Sequence, residues 1–328
     1  MDVTTTVSSF KKTLRTGERL VKRTSEPVWR YGFNAGPTRD FRRHPPALGD
    51  EARRVLADLD RDGLALSTLA DLTGDPDLLG RLQAEAARLE EARAVDLERR
   101  RQRIATADVG GPKDKEFVIE LLDSRRPVID PKGLLAQTAL NDQLRGVADA
   151  YFGMRTRVSD INFWRNLPTP LPPRSSQLWH RDLPEDYFIL KLFVYLEDCY
   201  EGNGPFTYLV GTHGKGDRRL QLPAQDDGQT MRSTDDALAQ AGVLDRMRVC
   251  TGKAGSVVFA DTVGYHKGGW VQEKGRLLFH VLYSSRAAHP NRMLGLPHGV
   301  RRSDWADDLV FDRHAVGRPE VPEPASLN

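Results

Sequence analysis

The sequence predicts a mainly β fold, a sandwich or jelly roll, with helices packed against its outer face. Two patterns support this prediction. After Phe152, six or more short segments rich in aromatic and β-branched residues follow one another, separated by clusters of Gly, Pro and Asn. Before Phe152, apolar residues recur instead at the spacing of amphipathic helices. A run of helices followed by a run of strands favours an antiparallel sheet core with the helices outside it.

The chain is predicted to consist of an arm and one domain. Residues 1–50 are polar and basic and are interrupted by Gly36-Pro37 and Pro45-Pro46, which predicts an extended arm. Residues 51–328 are predicted to form a single domain. Its three parts are a mainly helical support (51–152), a jelly-roll core (153–286) and a C-terminal tail (287–328).

Three helices are predicted in the helical support. The first begins at Asp50 and is stopped by Gly63, and LALSTL then suits a short strand. The second begins near Asp75-Pro76, and its leucines from Leu78 onward recur at helical spacing. The third covers GLLAQTALNDQLRGVADAYF.

The predicted strands lie in six segments of the second half of the chain. They are TRVSDINFWRN, QLWHRD, EDYFILKLFVYLED, GPFTYLVGTH, SVVFADTV and GRLLFHVLYSSR. The segment from Lys215 to Arg248 interrupts them and is predicted to be a lid or a loop insertion.

Composition excludes several classes of protein. The chain has 328 residues and a formal net charge of +2, so no global charge points to nucleic acid or to an anionic membrane. The cysteines, Cys199 and Cys250, are too few for a disulfide framework, which indicates a reducing compartment. The N-terminus lacks the apolar core of a signal peptide, and no stretch approaches the roughly 18 apolar residues of a membrane-spanning helix. We therefore expect a cytoplasmic protein that binds neither nucleic acid nor membranes.

Three residues form a candidate metal site. His180 and Asp182 lie at the end of QLWHRD, and in a strand residues i and i+2 project from the same face. His266 lies in the glycine-bordered segment FADTVGYHKGG after an apolar strand. Two histidines and one carboxylate leave open positions on a metal, as iron(II) oxygenases require. An H-x-D tripeptide alone is weak evidence, because a structural pair at a strand end would look the same.

Arg276 supplies the context that the metal site needs. It follows His266 by ten residues, and strand alternation places Arg276, Leu278, His280 and Leu282 on one face. An arginine on an apolar face is costly to bury unless it meets an anion, and its planar guanidinium matches a carboxylate. A dicarboxylate co-substrate would satisfy it. His280, deeper in the same strand, is expected to be a core histidine whose hydrogen bonds are satisfied.

The order of these motifs resembles a known family. H-x-D, then NGPFTYLVGTH, then a distal histidine with arginine ten residues later is similar to the phytanoyl-CoA dioxygenase family of iron(II)/2-oxoglutarate oxygenases, over about Arg155 to Arg286. The resemblance implies a double-stranded β-helix, which is a jelly-roll barrel of the cupin type. It assigns His180, Asp182 and His266 to iron(II), and Arg276 to the distal carboxylate of 2-oxoglutarate, with O₂ as the second co-substrate.

Further site residues are implied with less support from motifs. Asn162, Gln177 and Lys191 resemble residues that flank the co-substrate in relatives. Relatives often carry a serine two residues after the distal histidine, whereas this chain has Gly268 there, so Lys191 is one candidate for the missing donor. Arg181 and Trp270 are predicted to contact the substrate.

The resemblance implies a hydroxylase of an unactivated C–H bond in a small molecule, with succinate and CO₂ as co-products and the protein a monomer or homodimer. Tailoring of a natural product or other secondary metabolite is one such reaction. Asp182 argues against halogenation, because halogenases of the superfamily carry Gly or Ala there; desaturation, epoxidation and cyclisation stay open. Two alternatives remain, a zinc-dependent hydrolase on the same His₂Asp site and a non-catalytic small-molecule-binding barrel.

Overall fold

The computed structural model describes residues 24–106, 115–122, 126–182, 186–224 and 232–317, and for residues 313–317 only the backbone. Eight α-helices lie in this part of the chain. They are α1 (Ala35–Arg43), α2 (Asp50–Asp62), α3 (Leu69–Thr73), α4 (Leu78–Ala92), α5 (Ala94–Ala105), α6 (Leu134–Ala139), α7 (Asp142–Phe152) and α8 (Asp235–Gln240). None of the described helices is both long enough and apolar enough to cross a membrane.

Eleven strands are described. They are β1 (Leu64–Thr68), β2 (Val118–Glu120), β3 (Arg157–Asn166), β4 (Leu190–Tyr195), β5 (Phe206–Leu209), β6 (Met247–Cys250), β7 (Ser256–Asp261), β8 (His266–Gly268), β9 (Arg276–Ser284), β10 (Leu294–Pro297) and β11 (Phe311–Gly317). They form an antiparallel six-stranded sheet in the order β1-β7-β4-β9-β3-β2, an antiparallel three-stranded sheet in the order β6-β5-β8, and the parallel pair β10-β11.

The six-stranded sheet is buried on both faces, and strand alternation sorts its residues between them. On β4, Leu192 and Val194 pack into the large core that contains the helices. Phe193 and Tyr195, which point the other way, pack with Phe206 of the three-stranded sheet. The fold is therefore a sheet-on-sheet core with helices on its outer face, which confirms the predicted mainly β, jelly-roll class.

The helical layer follows the sequence prediction with three changes. The second predicted helix, which was expected to have the basic run LERRRQR as its far end, is two helices, α4 and α5. Helix α2 ends at Gly63, whose φ of 74° is the left-handed conformation that glycine adopts at low cost. The third predicted helix is two helices, α6 and α7, because the side chain of Asn141 caps α7 by accepting from the backbone N–H groups of Gln143 and Leu144. Helix α4 begins at Leu78, slightly later than predicted.

The described part of the predicted N-terminal arm is not extended. A π-helix (Val28–Phe33) and α1 occupy it, while residues 1–23 lie outside the described residues. Trp29 is fully buried, its ring packs edge-on against Phe188, and its Nε1 donates to Oδ1 of Asp186 at 2.5 Å. The composition of the segment predicted an arm because it has few apolar residues; one buried indole is enough to attach it to the core.

Replacing Trp29 tests this attachment. Trp29→Ala removes a fully buried aromatic side chain and one of the hydrogen-bond donors to Asp186, so we expect the free energy of unfolding to fall by about 3–5 kcal/mol. Tyr31, which is 54% exposed on the same segment, is the matched control. Tyr31→Ala should change the free energy of unfolding by less than about 0.5 kcal/mol. Chemical denaturation measures both. Equal small effects would mean that the segment does not contribute to the core.

Candidate metal centre and cavity

Backbone pairing brings the distant histidines together. The N–H of His180 donates to the carbonyl of His266 at 3.0 Å, and the N–H of His266 donates to the carbonyl of His180 at 2.9 Å. This single antiparallel bridge continues the three-stranded sheet beyond β8. The QLWHRD segment was predicted as a strand; instead it holds a 3₁₀ turn (Ser175–Gln177) followed by isolated bridges. His180 and Asp182 still converge, because the N–H of Asp182 donates to the carbonyl of Thr262 at 2.9 Å.

The loop before His266 is shaped by a buried aspartate and a glycine. The carboxylate of Asp261 accepts from the Tyr151 hydroxyl at 2.9 Å and from the backbone N–H of Gly214 at 2.9 Å. At Gly264 a Cβ would lie 2.0 Å from the hydroxyl of Tyr208, so only glycine fits. The segment FADTVGYH is therefore held on both sides of its turn, and His266 leaves it in a fixed direction.

The three candidate ligands share one focus. Nδ1 of His180 lies 2.8 Å from the carbonyl oxygen of Leu178, and Nδ1 of His266 lies 3.0 Å from that of Gly264, so each ring presents Nε2 to the other. These Nε2 atoms lie 3.9 and 3.8 Å from Oδ1 of Asp182. All three ligand atoms lie within 4.8 Å of one another. Two imidazole nitrogens and a carboxylate oxygen in this arrangement match the donor set of non-haem iron(II).

Charge and burial keep the ligands in their metal-binding protonation states. Burial lowers the pKa of His180 well below its usual value and that of His266 to about 4, so both rings are neutral. Burial alone would raise the pKa of Asp182, but the nearby Lys191 ammonium and the two imidazoles lower it well below 3.8. Nζ of Lys191 lies 2.5 Å from Oδ2 of Asp182, which leaves Oδ1 facing the histidines.

The candidate ligands open into a cavity of about 400 Å³. Arg276, Leu278, His280 and Leu282 all line it, as the predicted alternation along β9 requires. Arg276 is buried, its Nη1 donates to the carbonyl of Gly204, and it forms no ion pair with any carboxylate of the described residues. A Cβ at Gly268 would lie 3.3 Å from Nη2 of Arg276, so the absent serine leaves space beside the guanidinium.

The remaining predicted site residues divide into two groups. Lys191 and Arg181 line the cavity. The guanidinium of Arg181 donates to the carbonyls of Thr212 and Val263 at 2.6 and 2.7 Å, so it also fixes the loops around the site. Asn162, Gln177 and Trp270 are not among the described residues that line the cavity.

These three residues have local structural partners. Oδ1 of Asn162 accepts from the backbone N–H of Leu122 at 3.1 Å, and Oε1 of Gln177 accepts from that of Arg174 at 3.2 Å. Nε1 of Trp270 donates to the carbonyl of Thr169 at 3.2 Å. Their roles in binding stay predictions.

Sequence comparison identifies the family. Residues 74–272 match the family model described as phytanoyl-CoA dioxygenase. The chain belongs to the phytanoyl-CoA dioxygenase family. This confirms the resemblance noted in the sequence and makes the protein an enzyme of the non-haem iron and 2-oxoglutarate type. A comparison of the sequence with characterised proteins gave no match.

Comparison with solved structures returns several proteins of low sequence identity. The epimerase SnoN, in complex with Fe³⁺, alpha ketoglutarate and nogalamycin RO, is 16% identical, with 84% of this chain and 97% of that chain covered and a TM-score of 0.46. EctD from S. alaskensis, with 2-oxoglutarate and 5-hydroxyectoine, is 19% identical, with 84% and 92% covered and a TM-score of 0.46. HygX from Streptomyces hygroscopicus, with nickel, 2-oxoglutarate and hygromycin B, is 16% identical, with 79% and 96% covered and a TM-score of 0.45.

Several charged residues of this family member's cavity carried no sequence motif. Lys115, Asp160, Arg232 and Arg292 line the cavity although they lie far apart in the chain. Arg232 lies within the segment predicted as a lid or insertion, next to residues outside the described part. Asp160 lies on β3 two residues before Asn162, which pairs with His280 on β9, so strand alternation could have placed Asp160 on the face of His280. The other three residues belong to loops or strand edges with no such pattern.

The buried ligands predict acid sensitivity of the metal-free protein. In the unfolded chain His266 takes up a proton near its usual pKa of 6.5, but in the folded protein only near 4. The unfolded state therefore binds more protons than the folded state between these pH values. The contribution of His266 to the free energy of unfolding is complete above about pH 6.5 and is lost as the pH is lowered towards 4. The contribution of His266 is on the order of 3 kcal/mol.

Chemical denaturation at a series of pH values measures this slope. His266→Gln should make the slope less steep without abolishing it, because the uncharged amide takes up no proton while the buried His180 still contributes. His298 is an exposed histidine, and His298→Gln is the matched control that should leave the slope unchanged. A wild-type slope in His266→Gln would contradict the assignment.

Proposed function

We propose that this protein is an iron(II)- and 2-oxoglutarate-dependent dioxygenase that hydroxylates a C–H bond of a small molecule. The observation that carries the proposal is the convergence of Nε2 of His180, Nε2 of His266 and Oδ1 of Asp182 in the wall of a cavity. The same wall contains Arg276, which pairs with no carboxylate of the described residues. In this proposal His180, Asp182 and His266 hold iron. Arg276 binds the distal carboxylate of 2-oxoglutarate.

The chain's own residues have three tasks in this reaction. Arg276 positions the co-substrate by charge-assisted hydrogen bonds, which a planar guanidinium makes in pairs to a carboxylate. Lys191 balances the charge of Asp182 and orients its free oxygen. Phe193, Phe206 and Leu278 form an apolar part of the wall, which excludes water from the reacting atoms. Bound iron and 2-oxoglutarate would supply the O₂-activating chemistry, with succinate and CO₂ as co-products.

Two other functions use the same residues less completely. A zinc hydrolase would need the His₂Asp set but has no use for Arg276 beside it. A non-catalytic binding protein would not need neutral histidines and an ionised aspartate, which are the protonation states that a metal requires of these ligands. Release of succinate that depends on both iron(II) and O₂ distinguishes the proposed dioxygenase from both.

Anaerobic titration of iron(II) and 2-oxoglutarate tests the site directly. The wild-type protein should develop the weak visible charge-transfer band of a 2-oxoglutarate chelate. His180→Ala should abolish it, because two ligands remain, whereas His298→Ala should not, because that histidine is exposed. Absence of the band at saturating metal in the wild-type protein would reject the dioxygenase proposal and favour the zinc hydrolase or the binding protein.

Substitution of Arg276 tests the co-substrate assignment. Arg276→Ala should raise the 2-oxoglutarate concentration at half-maximal band by about 10–100-fold, the effect of losing a charge-assisted pair of hydrogen bonds, without altering the final intensity. Arg301→Ala, at an exposed arginine, is the control. If Arg276→Ala titrated like the wild-type protein, the carboxylate would bind elsewhere.

A further inference from the structure

A second polar feature lies on the same wall of the cavity as Arg276. His280 follows Arg276 by four residues on β9, about 13 Å further along an extended strand. It is 1% exposed and nevertheless lines the cavity. The sequence predicted a core histidine with its hydrogen bonds satisfied. That prediction is wrong, because neither ring nitrogen has a hydrogen-bond partner among the described residues.

Aromatic contacts fix the ring of His280. The indole of Trp164 stacks on it, with centroids 4.1 Å apart and planes 18° apart. Phe193 lies against it with a centroid distance of 5.4 Å. Because these contacts occupy the ring faces, only the ring edge, which carries both nitrogens, remains for hydrogen bonding. Burial lowers the pKa of His280 well below its usual value, so one nitrogen donates and the other accepts.

Asp160 decides which nitrogen carries the proton. Its Oδ2 lies 3.6 Å from Nδ1 of His280 and 3.4 Å from Nη1 of Arg292. Arg292 is in turn paired with Glu120 at 2.6 Å. Burial raises the pKa of Asp160 to about 6, and the neighbouring Arg292 guanidinium opposes this rise by favouring the ionised carboxylate. A carboxylate beside Nδ1 favours the tautomer protonated there, so Nε2 is left as an acceptor.

The chemistry of the wall selects among possible ligand groups. Trp164 and Ser284 also line this cavity, and neither Nε1 of Trp164 nor the hydroxyl of Ser284 has a hydrogen-bond partner among the described residues. A hydroxyl group both donates and accepts, so it can satisfy an imidazole acceptor and an indole donor together. An ammonium group can only donate, so it cannot accept a hydrogen bond from Nε1 of Trp164. A carboxylate can only accept, so it has no proton to donate to Nε2 of His280.

We propose that His280, oriented by Asp160, binds the substrate by accepting a hydrogen bond from a substrate hydroxyl group, and that the substrate is therefore an alcohol or polyol. The proposal rests on the proposed function, because it names the substrate class of the same cavity. It goes beyond that function by assigning recognition to residues outside the metal and 2-oxoglutarate sites.

The test observes the ring nitrogens of His280 by NMR. The full chain, labelled with nitrogen-15 in its histidines, is loaded with 2-oxoglutarate and with zinc(II) in place of iron to keep it diamagnetic. The signals that disappear in His280→Gln identify the ring. Cyclohexanol, cyclohexylamine and cyclohexanecarboxylate, which have similar size, serve as probes. We expect a protonated Nδ1, a bare Nε2, and an Nε2 resonance that shifts with cyclohexanol only.

Variants separate recognition from folding. His280→Gln should weaken cyclohexanol binding by about tenfold, the effect of one hydrogen bond to a buried acceptor. His298→Gln, at an exposed histidine, should leave it unchanged. Asp160→Asn keeps the side-chain shape but removes the charge, so it should move the proton towards Nε2 and weaken binding similarly. Asp160→Asn therefore still tests the role of His280 if the His280→Gln variant does not fold.

Three results would overturn the proposal: no response of Nε2 to cyclohexanol, a stronger response to the amine or the carboxylate, or unchanged cyclohexanol binding in His280→Gln and Asp160→Asn. Failure of the proposed function is seen separately. If iron(II) and 2-oxoglutarate give no visible band, the dioxygenase proposal fails, while the NMR result still reports on His280. If the band forms and Nε2 does not respond, only the hydroxyl-binding proposal fails.

Discussion

Two backbone hydrogen bonds between His180 and His266 determine where the candidate metal ligands meet. The His180 segment is otherwise irregular and belongs to no regular strand, so these bonds give it a position relative to β8. They also set the distance between the two rings, whose centroids are 4.3 Å apart. The side chains then need only one further restraint each, the backbone carbonyl that each Nδ1 contacts. The ligand geometry is thus mainly a property of the backbone.

Asp261 connects this geometry to the rest of the molecule. It is fully buried, and its carboxylate is satisfied by a hydroxyl from α7 and by backbone N–H groups of Ile189, Val263 and Gly214. These donors come from the helical layer, from the start of β4 and from the loop that contains His213. A change in the packing of α7 against the sheet would therefore reach the turn before His266. Buried carboxylates that accept several N–H bonds can hold such junctions without a cationic partner.

The sequence predicted those features that depend on local patterns. Most strands of the large sheet and helix α2 follow from the short-range signals of alternation and a capping glycine, and the three candidate ligands were named from the order of their motifs. The two-helix break at Asn141 and the burial of Trp29 were not predicted, because each depends on which distant surface the segment meets. The same holds within the cavity. Arg276 was recognised from its position on a strand, whereas Asp160 and Arg292 become neighbours only through the fold. His280 was assigned to the core because the sequence carries no signal for the cavity beside it.

The ion pair between Lys191 and Asp182 bears on how the protein would respond to removal of a bound metal. The Lys191 ammonium group supplies a positive charge to the carboxylate, and Nδ1 of each histidine contacts a backbone carbonyl. The ligands therefore need no cation to stay in place, unlike those of small zinc domains that unfold when the metal leaves. We therefore expect a chelator to remove bound iron without unfolding the protein, so that the emptied site could bind metal again.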